Sequence, residues 1–180
     1  MLVTEAGWAR CREDQWTQPR YWDDSRWDGA DYPVVGVSWY EAVAFCLWLS
    51  ETTGENIILP TEQQWQRAAQ GDKGLIYPWG NVWDASRCNN NVDGKGIRRT
   101  TPVTEYENTD TPFDVTDMSG NAWEWCLTAY GTGKTDLQGA DVRVLRGGSW
   151  GSGDMGDFRT VYRNGGSPDN LNNQIGRAHV

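Results

Sequence analysis

Histidine is almost missing from this chain: among 180 residues there is one, His179. A Ser-His-Asp relay or a histidine-rich metal centre needs imidazoles held at a site, and a single one beside the last residue given argues against both. The four cysteines, Cys11, Cys46, Cys88 and Cys126, include no CxxC pair. That spacing argues against a zinc site or a redox dithiol motif. Long apolar runs are absent as well. The opening Met1–Trp8 stretch is too short a run for a signal peptide or a membrane span. No membrane insertion is expected; cytoplasm is the default compartment, with surface display left open. Positive charge is also in short supply: 16 Lys and Arg against 25 Asp and Glu leave a net charge of -9. Such a field repels phosphate backbones, so nucleic acid is not an expected partner.

What the chain does have is tryptophan, 12 in all, together with 21 glycines. One indole buries roughly 150–250 Å², so a few large rings replace many aliphatic side chains. Abundant Trp and Gly point to irregular connections rather than to a helical bundle. The length fits one domain, 1–180.

Two helices are legible. Ser38 and Glu41 form an S-x-x-E capping box; Val43, Ala44, Leu47 and Trp48 follow at helical spacing, Cys46 falls on the inner face, and Gly54 supplies the stop. Thr61 and Gln64 repeat the box for a second helix, with Trp65, Ala68 and Ala69 inward and Gly71 at its end. Tyr32–Val37 reads as a buried extended segment. Strands are expected leading out of Asp117–Trp125, at Arg143–Leu145 and at Phe158–Arg163, with an exposed loop at 131–141. Residues 1–32 read as loop packed on the body. After Leu145 comes Arg-Gly-Gly-Ser-Trp150, then a run of small polar residues to Asp157. Neither a cysteine nor the histidine lies in that run, which moves the reading from catalysis toward binding.

Four blocks stand in order: Pro33–Trp39 with Glu41–Cys46, Leu59–Trp65, Tyr77–Asn81, and Gly120–Trp125 followed by Leu145–Trp150. Together they resemble the formylglycine-generating enzyme / sulfatase-modifying factor family over about residues 20–176. The resemblance implies an α+β, C-type-lectin-like fold with two helices, twisted antiparallel strands and much loop. Members usually carry a strand and helix before the segment matching Tyr21–Asp24, so the resemblance also implies an N-terminally truncated domain. The family's oxidases hold copper on two cysteines after the Gly-Gly-Ser-aromatic turn. Ser152 and Asp157 occupy the matching positions. A hydroxyl and a carboxylate do not make the soft thiolate pair that Cu(I) prefers, so no copper and no catalytic residues are expected.

The tail also resembles variable proteins of diversity-generating retroelements, which share this fold. The expected binding surface at 151–174 comprises Gly151, Ser152, Gly153, Asp154, Gly156 and Asp157, then Tyr162, Asn164, Gly165, Gly166 and Ser167, then Asn170, Asn172 and Asn173. Phe158, Arg159, Val161, Arg163, Pro168, Asp169, Ile175 and Gly176 read as the scaffold between them. The ligand is an unknown protein or small molecule. By the same resemblance, Asp117, Gly120, Ala122 and Glu124 match a family segment that binds Ca²⁺, a structural ion that prefers oxygen ligands. Asn89, Asn90 and Asp93 are a weaker second candidate. The functional expectation is a non-catalytic binding module. The alternatives are a formylglycine-generating oxidoreductase acting on a sulfatase cysteine, and a regulatory domain of a larger protein.

Overall fold

A computed structural model describes residues 17–27, 29–106, 112–137 and 139–177. Trp8, Trp16, Cys11 and His179 lie outside the described residues. Strand β1 (Val34–Val35) leads into helix α1 (Trp39–Thr53), and a short connector leads to α2 (Glu62–Gln70). A long stretch of turns and two 3₁₀ segments follows. The chain then forms β2 (Trp123–Ala129), β3 (Arg143–Arg146), β4 (Asn164–Gly166) and β5 (Ile175–Arg177).

Both helices begin where the sequence places them. The Ser38 hydroxyl accepts from the Glu41 amide while the Glu41 carboxylate accepts from the Ser38 amide at 2.8 Å. Thr61 and Gln64 make the same reciprocal pair. These bonds satisfy amides that have no partner inside the helix. Gly54 closes α1 in the left-handed conformation.

The inner face of α1 is rotated from the one the spacing suggests. Trp39, Ala42, Val43 and Cys46 are buried, while Ala44 and Leu47 are half-buried and Trp48 is 48% exposed. Trp39 anchors this face: its indole donates to the Cys126 carbonyl at 3.0 Å, and the Arg143 guanidinium lies 3.9 Å from its ring centre.

Among the described residues the strands form one sheet in the order β1-β5-β2-β3-β4. The fold is α+β, as expected, but the sheet is mixed. β5 pairs antiparallel with β1 and parallel with β2 (Trp123 opposite Ile175), while β2-β3 and β3-β4 are antiparallel. Parallel pairing joins strands distant in sequence, so no local signal marks it. The main core fills the space between α1 and the sheet, around Trp39, Trp125 and Leu145. A second cluster joins α2 to the sheet through Trp65, Ala69, Cys126 and Val144.

The segment Phe158–Arg163, expected as a strand, is not one. Met155–Phe158 is a 3₁₀ turn opened by Asp154, whose carboxylate accepts from the Gly156 amide at 2.7 Å. A local Asx cap wins here over the apolar pattern. Val161, expected as scaffold, is 58% exposed.

Candidate functional site

The chain leaves β3 through Gly147 and Gly148, with φ of 92° and 77°. A side chain at Gly148 would meet the Phe158 ring at 2.8 Å, so a glycine is needed there both for conformation and for space. Ser149 and Ser152 then close a tight turn. The Ser152 amide donates to the Ser149 carbonyl at 3.0 Å, and the Ser149 amide donates to the Ser152 hydroxyl at 3.2 Å. The Ser152 carbonyl accepts from the Asn91 amide. Ser152 is therefore buried as a turn element. Asp157 is half-buried, its amide bonded to the Asp154 carbonyl. Beside it the Tyr162 phenol is pushed up, by burial first and then by the Asp157 carboxylate.

The described thiols do not converge on this turn. Cys46, Cys126 and Cys88 lie in three different core clusters, all of them buried. Cys88 packs with Phe158, but burial pushes its thiol up to about 12, and burial raises Cys126 as well. Near neutral pH both are thiols rather than the thiolates that bind metal. The residues at the turn do not fit a copper dithiolate centre.

Of the expected tail surface, Gly153, Asp154, Tyr162, Asn164, Ser167 and Asn172 are exposed; Gly151, Gly156, Asp157, Gly165, Asn170 and Asn173 are half-buried. Ser152 and Gly166 are buried and cannot display a side chain. Several tail residues also shape the tail itself. Asn164, Asn170 and Asn172 accept bonds from the amides of Gly165, Asn172 and Gln174. A clamp holds the segment from behind. Arg146, fully buried at the end of β3, donates to the carbonyls of Thr160 and Val161 and to Glu62. Arg163 grips the same Glu62 with two bonds of 2.8 Å. The sequence does not single out Arg143 or Arg146 as core residues, although both flank the apolar pair of a short strand.

The loop entering β2 gathers acids. Asp117 and Asn121 have positive φ, 56° and 62°, which curls the backbone around Gly120 and Ala122. Asp117 Oδ2 accepts from Asn121 Nδ2 at 2.8 Å, while its Oδ1 is buried without a partner. Glu124 Oε2 accepts from the Trp65 indole at 2.7 Å. Burial pushes both carboxyls up to about 7, and the Asp117 charge adds to the rise at Glu124. An orphaned buried carboxylate oxygen beside a second acid is what a bound cation would relieve. Among the described residues no group of three or more His, Cys, Asp or Glu side chains could hold a metal, so a cation here would rely on these two carboxyls and on backbone carbonyls. In the second candidate set the Asn89 and Asn90 amide nitrogens donate to neighbouring carbonyls, and Asn90 Oδ1 is taken by the Val92 amide at 3.0 Å.

A Trp-stitched α+β scaffold carrying a Gly-Gly-Ser-Trp turn is the C-type-lectin-like class. The family model for the sulfatase-modifying factor enzyme 1-like domain matches residues 1–177, and the chain belongs to this family. It is 31% identical over 182 residues to the inactive C-alpha-formylglycine-generating enzyme 2 of Bos taurus, covering 94% of the chain and 56% of that protein. It is 30% identical over 192 residues to the formylglycine-generating enzyme of Streptomyces coelicolor, covering 94% of the chain and 59% of that protein. The chain thus spans a little over half the length of these curated relatives. Among solved structures it resembles Treponema denticola variable protein 1, with a TM-score of 0.67 and 23% identity over 82% of the chain and 70% of that one. No described helix is long and apolar enough to cross a membrane.

Proposed function

We propose that this chain is a non-catalytic recognition module of the family, presenting the tail at 151–174 to a protein or small ligand. The observation that carries the reading is that Ser152, which with Asp157 matches the family's redox sulfurs by resemblance, is buried and bonded into a turn. The relatives do not decide between active and inactive, because their identities, 31% and 30%, are nearly equal. The ligand chemistry supports the non-catalytic reading, since two oxygen side chains do not hold Cu(I) as thiolates do. The likeness to a variable protein supports the use of the same frame for display. Arg146 and Glu62 keep the tail's backbone fixed while exposed side chains change, and loops on rigid frames are common recognition sites.

The displayed set is narrower than the sequence suggests. Asp154, Asp157, Tyr162, Asn164, Ser167, Asn170, Asn172 and Asn173 can vary from their frame, with Tyr162 as the aromatic anchor. Asp or Ser at the Asx-turn positions keeps the turn-forming acceptor, whereas Tyr does not. Retroelement-type diversification predicts that copies of the gene differ at adenines within these codons and match elsewhere.

Oxygen uptake tests the central reading. The protein, incubated with copper and a cysteine-containing sulfatase peptide, consumes no oxygen above a metal-and-peptide control. Protein-dependent turnover would establish the oxidoreductase reading instead.

Calcium completes the proposal. Asp117 and Glu124 with the Gly120 and Ala122 carbonyls supply hard oxygen ligands, and the ion would fix the loop entering β2. Calorimetry on wild type and Asp117→Ala gives saturable Ca²⁺ binding for the first and none for the second; identical responses reject the site.

A further inference from the structure

We propose that Asn164 is a site of spontaneous covalent modification: the Gly165 amide closes onto the Asn164 side chain, and water opens the resulting ring to aspartate or to isoaspartate, the latter unseating β4. Asn164 is the one asparagine of the chain that is followed by glycine. Glycine leaves the attacking nitrogen unshielded and its backbone free to turn. The reaction does not rest on the tail's role in recognition.

The structure supplies the contact. β4 is a three-residue strand at the outer end of the sheet, where alternate amides face away from the neighbouring strand. The Gly165 amide donates to Asn164's own Oδ1 at 2.8 Å, so the nucleophile already lies against the group it attacks. Other asparagines are held differently. Asn90, Asn170 and Asn172 turn their side-chain oxygens to the amide two residues on rather than to the next one, which is the nitrogen that closes a five-membered ring. Asn164 is exposed, so hydroxide and water reach it. Packing also imposes the reactive pair: a side chain at 165 would meet Val142 at 2.8 Å and the Tyr130 ring at 3.1 Å.

The step needs no co-reactant except water. The Gly165 nitrogen bonds to Asn164 Cγ, the Cγ–Nδ2 bond breaks, and Nδ2 leaves as ammonia with the amide proton. Hydrolysis of the imide at one carbonyl gives aspartate. At the other it gives isoaspartate, which routes the backbone through an extra methylene. Both products add a negative charge to the exposed face. Only isoaspartate lengthens the chain between Arg163, pinned to Glu62, and Gly166, seated against Trp125 and Leu145.

Incubating the full chain in mildly alkaline buffer, beside a synthetic peptide of residues 160–174, tests this. Digestion at acid pH and mass spectrometry with electron-transfer fragmentation locate the products and tell isoaspartate from aspartate. Asn164 in the folded chain is expected to convert within tenfold of the peptide's rate, and at least tenfold faster than Asn170, Asn172 or Asn173. Asn164→Gln, which would have to close a larger ring, is expected to gain no acid at 164. The isoaspartate fraction is expected to melt below both wild type and Asn164→Asp. Protection of Asn164 by more than tenfold relative to the peptide, or conversion of the other three at a similar rate, overturns the proposal. An isoaspartate fraction that melts with wild type overturns the unseating of β4.

Discussion

Gly166 and Ser167 are neighbours in sequence with opposite roles. A side chain at Gly166 would place its first carbon 2.8 Å from Trp125 and 3.0 Å from Leu145, whereas Ser167 is exposed. Gly166→Ala is expected to lose about 1–3 kcal/mol by overpacking, and Ser167→Ala to stay within ~0.5 kcal/mol of wild type. Urea denaturation of the two variants reads the difference; a tolerant Gly166 would return it to the displayed set. At this scale the sequence is legible in part. Small polar residues mark the tail, but they do not say which of them face inward. Ser152 looks like its exposed neighbours in composition and is buried because two backbone amides converge on it. Trp48 has the helical spacing of a core residue, yet it faces solvent because Trp39 and Cys46 set the rotation of α1.

At the scale of elements, the two capping boxes were readable because each is a four-residue event. The parallel β2-β5 pairing was not, because its partners lie about fifty residues apart (Trp123 opposite Ile175) and nothing local records them. The arginine clamp is likewise non-local: Glu62 on α2 meets Arg146 on β3 and Arg163 before β4. Removing Arg146 strands the carbonyls of Thr160 and Val161 and leaves Glu62 to Arg163 alone. Arg146→Ala is therefore expected to cost about 2–5 kcal/mol through the two carbonyls left without a donor and to speed proteolysis within 155–166; unchanged cleavage would show that the tail is held otherwise. The acid loop makes a pH prediction. Asp117 and Glu124 rise from 3.8 and 4.5 to about 7 in the folded chain. Between those limits the native state holds more protons than the unfolded one, so stability falls as pH rises. In chelator the melting temperature should drop from about pH 4 to about pH 7. Calcium should offset that drop increasingly as the carboxyls ionise; a melting temperature indifferent to both pH and calcium would remove the cation from the account.

For the whole molecule, the family blocks made the scaffold and the missing sulfurs legible together, because motif order carries a fold that periodicity alone does not. The hollow between α1 and α2, lined by Phe45, Ile57, Trp65 and Trp125, was not legible, since its walls are assembled from segments spread over residues 45–125. The resulting picture is a rigid Trp-rich frame with a clamped tail, in which the buried thiols sit in separate clusters and the turn at Ser152 offers only oxygen ligands. Cu(I) titration against a competing chelator addresses that picture most directly, with Ser152→Cys/Asp157→Cys as the reference. The account predicts no thiolate-to-copper absorption and no stoichiometric binding for the natural chain, and a gain of both in the double variant. Stoichiometric Cu(I) on the natural chain, with a thiolate signature, would contradict it.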